Sequence, residues 1–297
     1  MVDVKEIKDI KIVPFTLMSS SISAILAFIG GVLLAILLGI TVALLPAPLG
    51  GLLAGFGVAA IIAYPILTFL IGLSTVFLSV LLYNLLVPRV GGVKLAMDGN
   101  NVAEIPIVPF ALILSIIGAI WAFIIGLILA TAIAPITGLI GTALPLIGNA
   151  TNTTAINGSM FGAGTALLYV FLIIGLPILA FIGGFIYNAL FAAFFNYIAT
   201  KVAKIQLNFT AVTGSWFDLT EIPIIPAALA LAVVSAIFGL IQGILNLGAY
   251  PDIGTGIVAL IINIIGKFIG TLIVVAIGAW LYNFLAPRIG AVKLALE

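Results

Sequence analysis

The stretch YNFLAPRIGAVKL runs from Tyr282 to Leu294, and YNLLVPRVGGVKL runs from Tyr83 to Leu95. Nine of the thirteen positions are identical, and the copies lie 199 residues apart. A third, weaker copy is FNYIATKVAKIQL, Phe195 to Leu207, with Asn196 and, five residues on, Lys201. A second motif stands well before each copy: DIKIVPF (Asp9–Phe15), EIPIVPF (Glu104–Phe110) and EIPIIPA (Glu221–Ala227). Seventeen residues past the last proline of each comes a glycine, Gly31, Gly126 or Gly243; ten past it comes Ala24, Ala119 or Ala236. Apolar composition alone explains the small residues. It does not explain Tyr-Asn followed by Pro-Arg, written twice.

Between the paired motifs the chain is almost purely apolar. Of 297 residues, 64% are hydrophobic and 6% are charged, against about 25% charged in a soluble domain. So few charges cannot coat a water-facing surface, and the chain belongs in a bilayer. Six runs are long enough to span, at about 20 residues each: roughly 15–45, 58–87, 110–133, 167–199, 227–247 and 256–286. Pro65 and Pro177 mark expected kinks in the second and fourth runs. The first run is too long for a signal-peptide core, so no cleaved signal is expected.

The fold expected is therefore all-α integral membrane. Six transmembrane helices form three tandem two-helix repeats at 1–97, 98–209 and 210–297, which together make one membrane domain. Two spans per repeat keep all repeats parallel, and parallel repeats are related by an axis along the membrane normal. This predicts a pseudo-threefold bundle. Short cytoplasmic strands are expected before and after each helix pair; a hairpin between tail and lead would join units one and two, and a small sheet or ring of strands would then cap the bundle. Asp98-Gly99 supplies a turn signal between two of them, while Pro106 and Pro223 favour edges or irregular leads. The segment VKEIKDIKIV could alternatively be an interfacial helix.

Nine of the ten Lys and Arg residues fall outside the runs on the side of both termini. Positive residues stay in the cytoplasm, so both termini are expected there, with the protein in the plasma membrane. The opposite loops, PAPLGGLLAGFG and PITGLIGTALPLIGNATNTTAINGSMFG, are expected to hug the outer surface. Asn149, Asn152 and Asn157 open glycosylation triplets in the second of these; Asn/Thr-rich loops also yield such triplets by chance. Asn208 fits the triplet but falls on the cytoplasmic side.

The paired motifs resemble those of small two-helix transmembrane domains of unknown function from archaea and actinobacteria. These have a polar lead, two apolar helices, then Tyr-Asn, a basic residue and Gly-Gly-Val-Lys-Leu. The resemblance covers the whole chain three times over. The middle unit departs from it, with Ala203 and Lys204 in place of Gly91 and Gly92. It implies that single-unit relatives self-associate and that this chain fuses a trimer. It brings no catalytic residue.

Three groups of residues are functional candidates. Asn84, Asn196 and Asn283 could form a polar ring at the cytoplasmic helix ends, or could each bond helix carbonyls or an incoming strand. Arg89, Lys201 and Arg288 could form a basic ring, which favours anions, or could anchor in anionic lipid headgroups on the cytoplasmic face. Lys267 is the one charge within a span, with Asn263, Gln242 and Asn246 close by in sequence and Asp252 as a candidate partner. It marks a substrate, proton or partner site, or it snorkels to the interface.

There is no histidine and no cysteine, which removes the commonest general base, thiolate metal sites and redox dithiols. The net charge of +1 offers no basic face for nucleic acid. No cofactor motif is present. The reading is a non-enzymatic multi-pass membrane protein: a scaffold, a bilayer organiser or an accessory subunit of a membrane complex. The alternative is a small channel or transporter, with a path on the pseudo-axis or at the Lys267 cluster.

Overall fold

The structure is a computed structural model that describes residues 2–42, 47–151 and 158–297. Six long helices carry the apolar runs: α1 (Ile12–Val42), α2 (Ala47–Val90), α3 (Ile107–Thr151), α4 (158–202), α5 (Ile224–Leu245) and α6 (Ile253–Ile289). Each contains a stretch long and apolar enough to cross a membrane. In the most apolar window of each, no more than 33% of residues are buried within the chain. The remaining apolar side chains face outward and need lipid or another apolar surface around them. This is a multi-pass membrane protein.

The helices outrun the sequence-based expectation. The two apolar loops expected at the outer surface are largely helical: α2 begins at Ala47, and α3 continues through Pro135 and Pro145 to Thr151. Glycine and proline break helices in water but are tolerated where the backbone has no competing solvent to bond. At 45 residues, α3 is about 67 Å long, whereas the 22 residues of α5 give about 33 Å, close to one bilayer core. Pro65 lies inside α2. In α4, Pro177 follows a π-helical turn at Phe171–Gly175, and a second π turn spans Phe195–Ala199.

The strands expected beside the helix pairs gather into one sheet. β1 (Asp3–Ile10), β2 (Lys94–Asp98), β3 (Asn101–Glu104), β4 (Asn208–Thr213), β5 (Trp216–Glu221) and β6 (Val292–Leu296) form one antiparallel sheet in the order β3-β2-β1-β6-β5-β4. Strand pairs join at the Asp98-Gly99 turn, with Gly99 at φ +61°, and at Gly214, with φ +58°. The N-terminal segment is strand, not interfacial helix. Pro106 and Pro223 fall just beyond β3 and β5, where no ladder bond is lost.

The two end strands also meet. Residues 205–207, just ahead of β4, bond to β3: the Val102 N–H donates to the Ile205 carbonyl (2.8 Å) and the Leu207 N–H to the Asn100 carbonyl (2.9 Å). Residues 205–207 therefore bridge the two ends of the sheet into a ring, while β4 itself pairs with β5 alone. One of its faces presents Phe217, Leu219, Val292, Leu294 and Leu296, which pack with Met18 on α1 and Tyr282 and Ala286 on α6.

By contacts the chain forms two compact units. One is residues 1–109 with 191–297, holding the sheet, α1, α2, α5 and α6; the other is residues 110–190, the bulk of α3 and α4. Each unit has close helix crossings at the glycines matched in sequence. A Cβ on Gly31 would lie 2.8 Å from the Ala60 carbonyl oxygen. One on Gly126 would lie 2.0 Å from that of Leu172, and one on Gly243 would lie 3.2 Å from the Leu260 Cα. Helices in lipid associate through such small residues.

Candidate functional site

The two sequence motifs bond to each other. Asn84 on α2 accepts the Ile10 N–H (3.0 Å) and donates to the Ile10 carbonyl (2.9 Å). Asn196 on α4 accepts the Ile105 N–H (2.8 Å) and donates to the Ile105 carbonyl (2.8 Å). Asn283 on α6 does the same to Ile222 at 2.8 and 2.9 Å. The three isoleucines occupy the same place in the lead motif, two residues before a helix begins. A primary amide carries one acceptor and one donor side by side, so it can clamp both polar groups of a single residue. All three amides of the expected polar ring are engaged in this way.

The preceding residue reinforces the clamp. The Tyr83 hydroxyl donates to the Ile7 carbonyl (2.7 Å) and accepts the Val93 N–H (2.9 Å). The Tyr282 hydroxyl donates to the Leu219 carbonyl and accepts the Val292 N–H (3.2 Å). Each tyrosine thus ties a lead strand to the tail segment beside it. In the middle, Phe195 replaces tyrosine and is fully buried; there the Val102 N–H donates to the Ile205 carbonyl, as the Ile7 N–H does to the Val93 carbonyl (2.9 Å), but with no tyrosine hydroxyl beside it. The exits differ as well. α2 and α6 are followed by glycines with positive φ, Gly91 (+84°) and Gly290 (+98°), whereas α4 leaves through extended Ala203 at φ −153°.

Register pairs repeat around the ring. Glu6 stands opposite Lys94, and Asp218 opposite Lys293. The third such position holds a neutral pair, Asn101 opposite Gln206. Lys94 Nζ is 3.7 Å from Glu6, Lys8 Nζ is 3.2 Å from it, and Lys293 Nζ is 3.6 Å from Asp218. Burial pushes the Glu6 carboxyl up, but a bond from the Gly92 N–H (2.7 Å) and the two lysines hold it below the ordinary value. Lys11 lies over the Trp216 ring at 4.1 Å.

The basic candidates are exposed at the sheet-side helix ends. Arg89 donates to the Leu85 carbonyl, 2.7 Å away. Arg288 donates to the Phe284 carbonyl and lies over the Phe284 ring, which stacks on exposed Trp280. Lys201 is exposed. Cations beside exposed aromatics are the usual furniture of a membrane interface.

Lys267 lies apart from these. It is half-buried against Gly239 of α5, whose carbonyl accepts a bond from the Asn263 amide (3.1 Å). Gln242 and Asn246 are exposed. Asp252 does not serve as the partner of Lys267. It caps α6, accepting from the Thr255 N–H (2.8 Å) and hydroxyl (2.6 Å), bonds that hold its carboxyl below the ordinary value. Fifteen residues of helix, about 22 Å, separate it from Lys267.

Asn149 stands in the last turn of α3, and Asn152 and Asn157 lie outside the described residues. Asn208 is in β4, where its amide donates to Glu221 and accepts from Asn100, 2.9 Å each. Among the described residues, no group of three or more Asp or Glu side chains could hold a metal ion. The sequence reading quoted Tyr83 and Tyr282 but gave their hydroxyls no role, and it missed the Glu6 and Asp218 pairs. The signal was present in the spacing, since each lysine follows its tyrosine by eleven residues. Compared with known proteins, the chain matches no family model, no curated protein and no solved structure.

Proposed function

We propose that the chain is a non-enzymatic membrane scaffold or accessory subunit, built from three tandem strand–helix–helix–strand units at 1–97, 98–209 and 210–297. On this reading the leads and tails alternate around the sheet ring with pseudo-threefold symmetry, and each unit corresponds to one of the single-unit two-helix proteins it resembles. The chain is then a covalent trimer. The cation distribution supports a sheet and both termini on the cytoplasmic side of a plasma membrane that holds the helices. Arg89, Lys201 and Arg288 contact anionic headgroups there.

One observation carries the reading. The polar side chains that recur between units, Asn84, Asn196 and Asn283 with Tyr83 and Tyr282, are engaged in tying strand backbone to helix ends. They hold the ring in place, and they leave the outward apolar helix faces as the working surface. A transport path would need free polar groups within the spans. Lys267 is the one ionisable side chain that favours the channel or transporter reading.

Gentle extraction from the native membrane, followed by measurement of particle mass and composition, tests the proposal. A larger particle with other subunits is expected for an accessory protein, and multiples of the 30.7 kDa chain alone for a self-contained scaffold. In either form, purified protein in vesicles should pass no ion or solute. A conductance that disappears on Lys267→Met would overturn the proposal in favour of transport.

A further inference from the structure

Gly239 on α5 faces Ile264 on α6, where a Cβ on the glycine would lie 3.2 Å from the Ile264 Cα. Gly243 faces Leu260, so the helices run antiparallel in a fixed register. Lys267 belongs to the turn nearer the sheet, yet its Cδ reaches to 3.3 Å from that same Gly239 Cβ position. Its stem therefore runs one turn away from the sheet. This is the direction in which helical side chains lean, toward the N-terminus of their own helix. The missing side chain at Gly239 makes the groove that holds the stem.

Six residues of α5 remain between Gly239 and the helix end at Leu245, about 9 Å. Extended onward from Cδ, the ammonium would cover part of that distance. Gln242 and Asn246 follow on the face of α5 that carries Gly239, at the spacing of helix neighbours, and both are exposed. Among the described residues Lys267 makes no ion pair. The acid at this end, Asp252, is occupied by Thr255. A cation and two amides thus step from the membrane interior to the headgroup level, and the one acid at this end, Asp252, stays in the α6 cap about 22 Å along the helix from Lys267.

We propose that Lys267, Gln242 and Asn246 form a binding site for the phosphate of an anionic phospholipid in the leaflet farther from the sheet. The inference rests on the helices being bilayer-spanning, and it holds whichever side the sheet occupies. An ammonium donates strongly to phosphate oxygen, and the amide N–H groups add neutral donors.

Native mass spectrometry of the detergent-purified protein, titrated with phosphatidylglycerol or phosphatidylcholine, tests it. Wild type should bind one phosphatidylglycerol more tightly than phosphatidylcholine. Lys267→Met should weaken that binding by about fivefold, the effect of one cation at a membrane surface. Lys267→Arg should retain it, and Gln242→Leu with Asn246→Leu should weaken it while leaving the charge. Equal binding by wild type and Lys267→Met would overturn the site. So would displacement of the lipid by excess inorganic phosphate, which would make it a free-anion site. Protein that binds neither lipid and stays soluble without detergent would overturn the membrane reading itself.

Discussion

Asn283 grips Ile222 with both ends of its amide, across 61 residues of sequence. Ile222 is the last residue before Pro223 and the start of α5, and Asn283 lies six residues from the end of α6. One side chain thus fixes where the chain enters the membrane relative to where it leaves. The same grip joins Asn84 to Ile10 and Asn196 to Ile105.

Replacing Asn283 with leucine removes two hydrogen bonds and leaves two backbone groups without partners. Each bond contributes about 1 kcal/mol, and each unpaired buried group costs about 1–3 kcal/mol. A loss of about 2–4 kcal/mol is expected in reversible unfolding from mixed micelles. Asn283→Asp keeps the acceptor but sets a carboxylate oxygen against the Ile222 carbonyl, so it should lose at least as much. A change below about 0.5 kcal/mol for leucine would contradict the clamp.

Tyr282→Phe removes the hydroxyl that bridges Leu219 and Val292 and should cost about 1–2 kcal/mol. Tyr83→Phe should behave alike. Amide hydrogen exchange should speed up at Val292 and Val93 respectively, with the helix interiors unchanged.

Glycine substitutions should rank by the space available. A methyl on Gly126 meets the Leu172 carbonyl oxygen at 2.0 Å, on Gly31 the Ala60 carbonyl oxygen at 2.8 Å, and on Gly243 the Leu260 Cα at 3.2 Å. Alanine should therefore destabilise most at Gly126, by about 1–3 kcal/mol or more, less at Gly31 and least at Gly243. Gly118, with nothing within 4 Å, should accept alanine without loss. Thermal midpoints of the four variants give the order directly.

Acid should loosen the sheet through Glu6. Its carboxyl is held below the ordinary value in the fold, so its stabilising contribution is present above the unfolded value. That contribution is lost as pH falls through the folded one. Glu6→Gln should flatten the acid limb of a pH–stability curve, and an unchanged limb would remove Glu6 from this role.

The sequence made the six helices legible because apolar runs long enough to span lie between a lead motif and a tail motif, at 74, 91 and 61 residues from isoleucine to asparagine. It also placed the close crossings, since Gly31, Gly126 and Gly243 stand at one distance from their prolines. Bonding of each asparagine to a strand was among the readings, but which residue it meets was not: that Asn84 bonds Ile10 depends on two distant segments meeting. A strand after each helix pair, and with it a small sheet or ring, was legible; the partners that join residues 205–207 to Asn100 and Val102 were not. The helical extents of α2 and α3 were misread because Gly and Pro were weighed as in water. For Lys267, the sequence supplied the charge, and only the register against Gly239 supplied its direction.

The chain has no cysteine, so single cysteines report sidedness without background. Asp98→Cys and Ser215→Cys mark the two strand turns, and Gly248→Cys marks the turn between α5 and α6. Intact cells treated with a membrane-impermeant maleimide should label Gly248→Cys and leave the other two unlabelled until the membrane is opened. Labelling of either strand turn from outside, or of all three alike, would contradict a scaffold whose sheet ring gathers every helix pair on one cytoplasmic face.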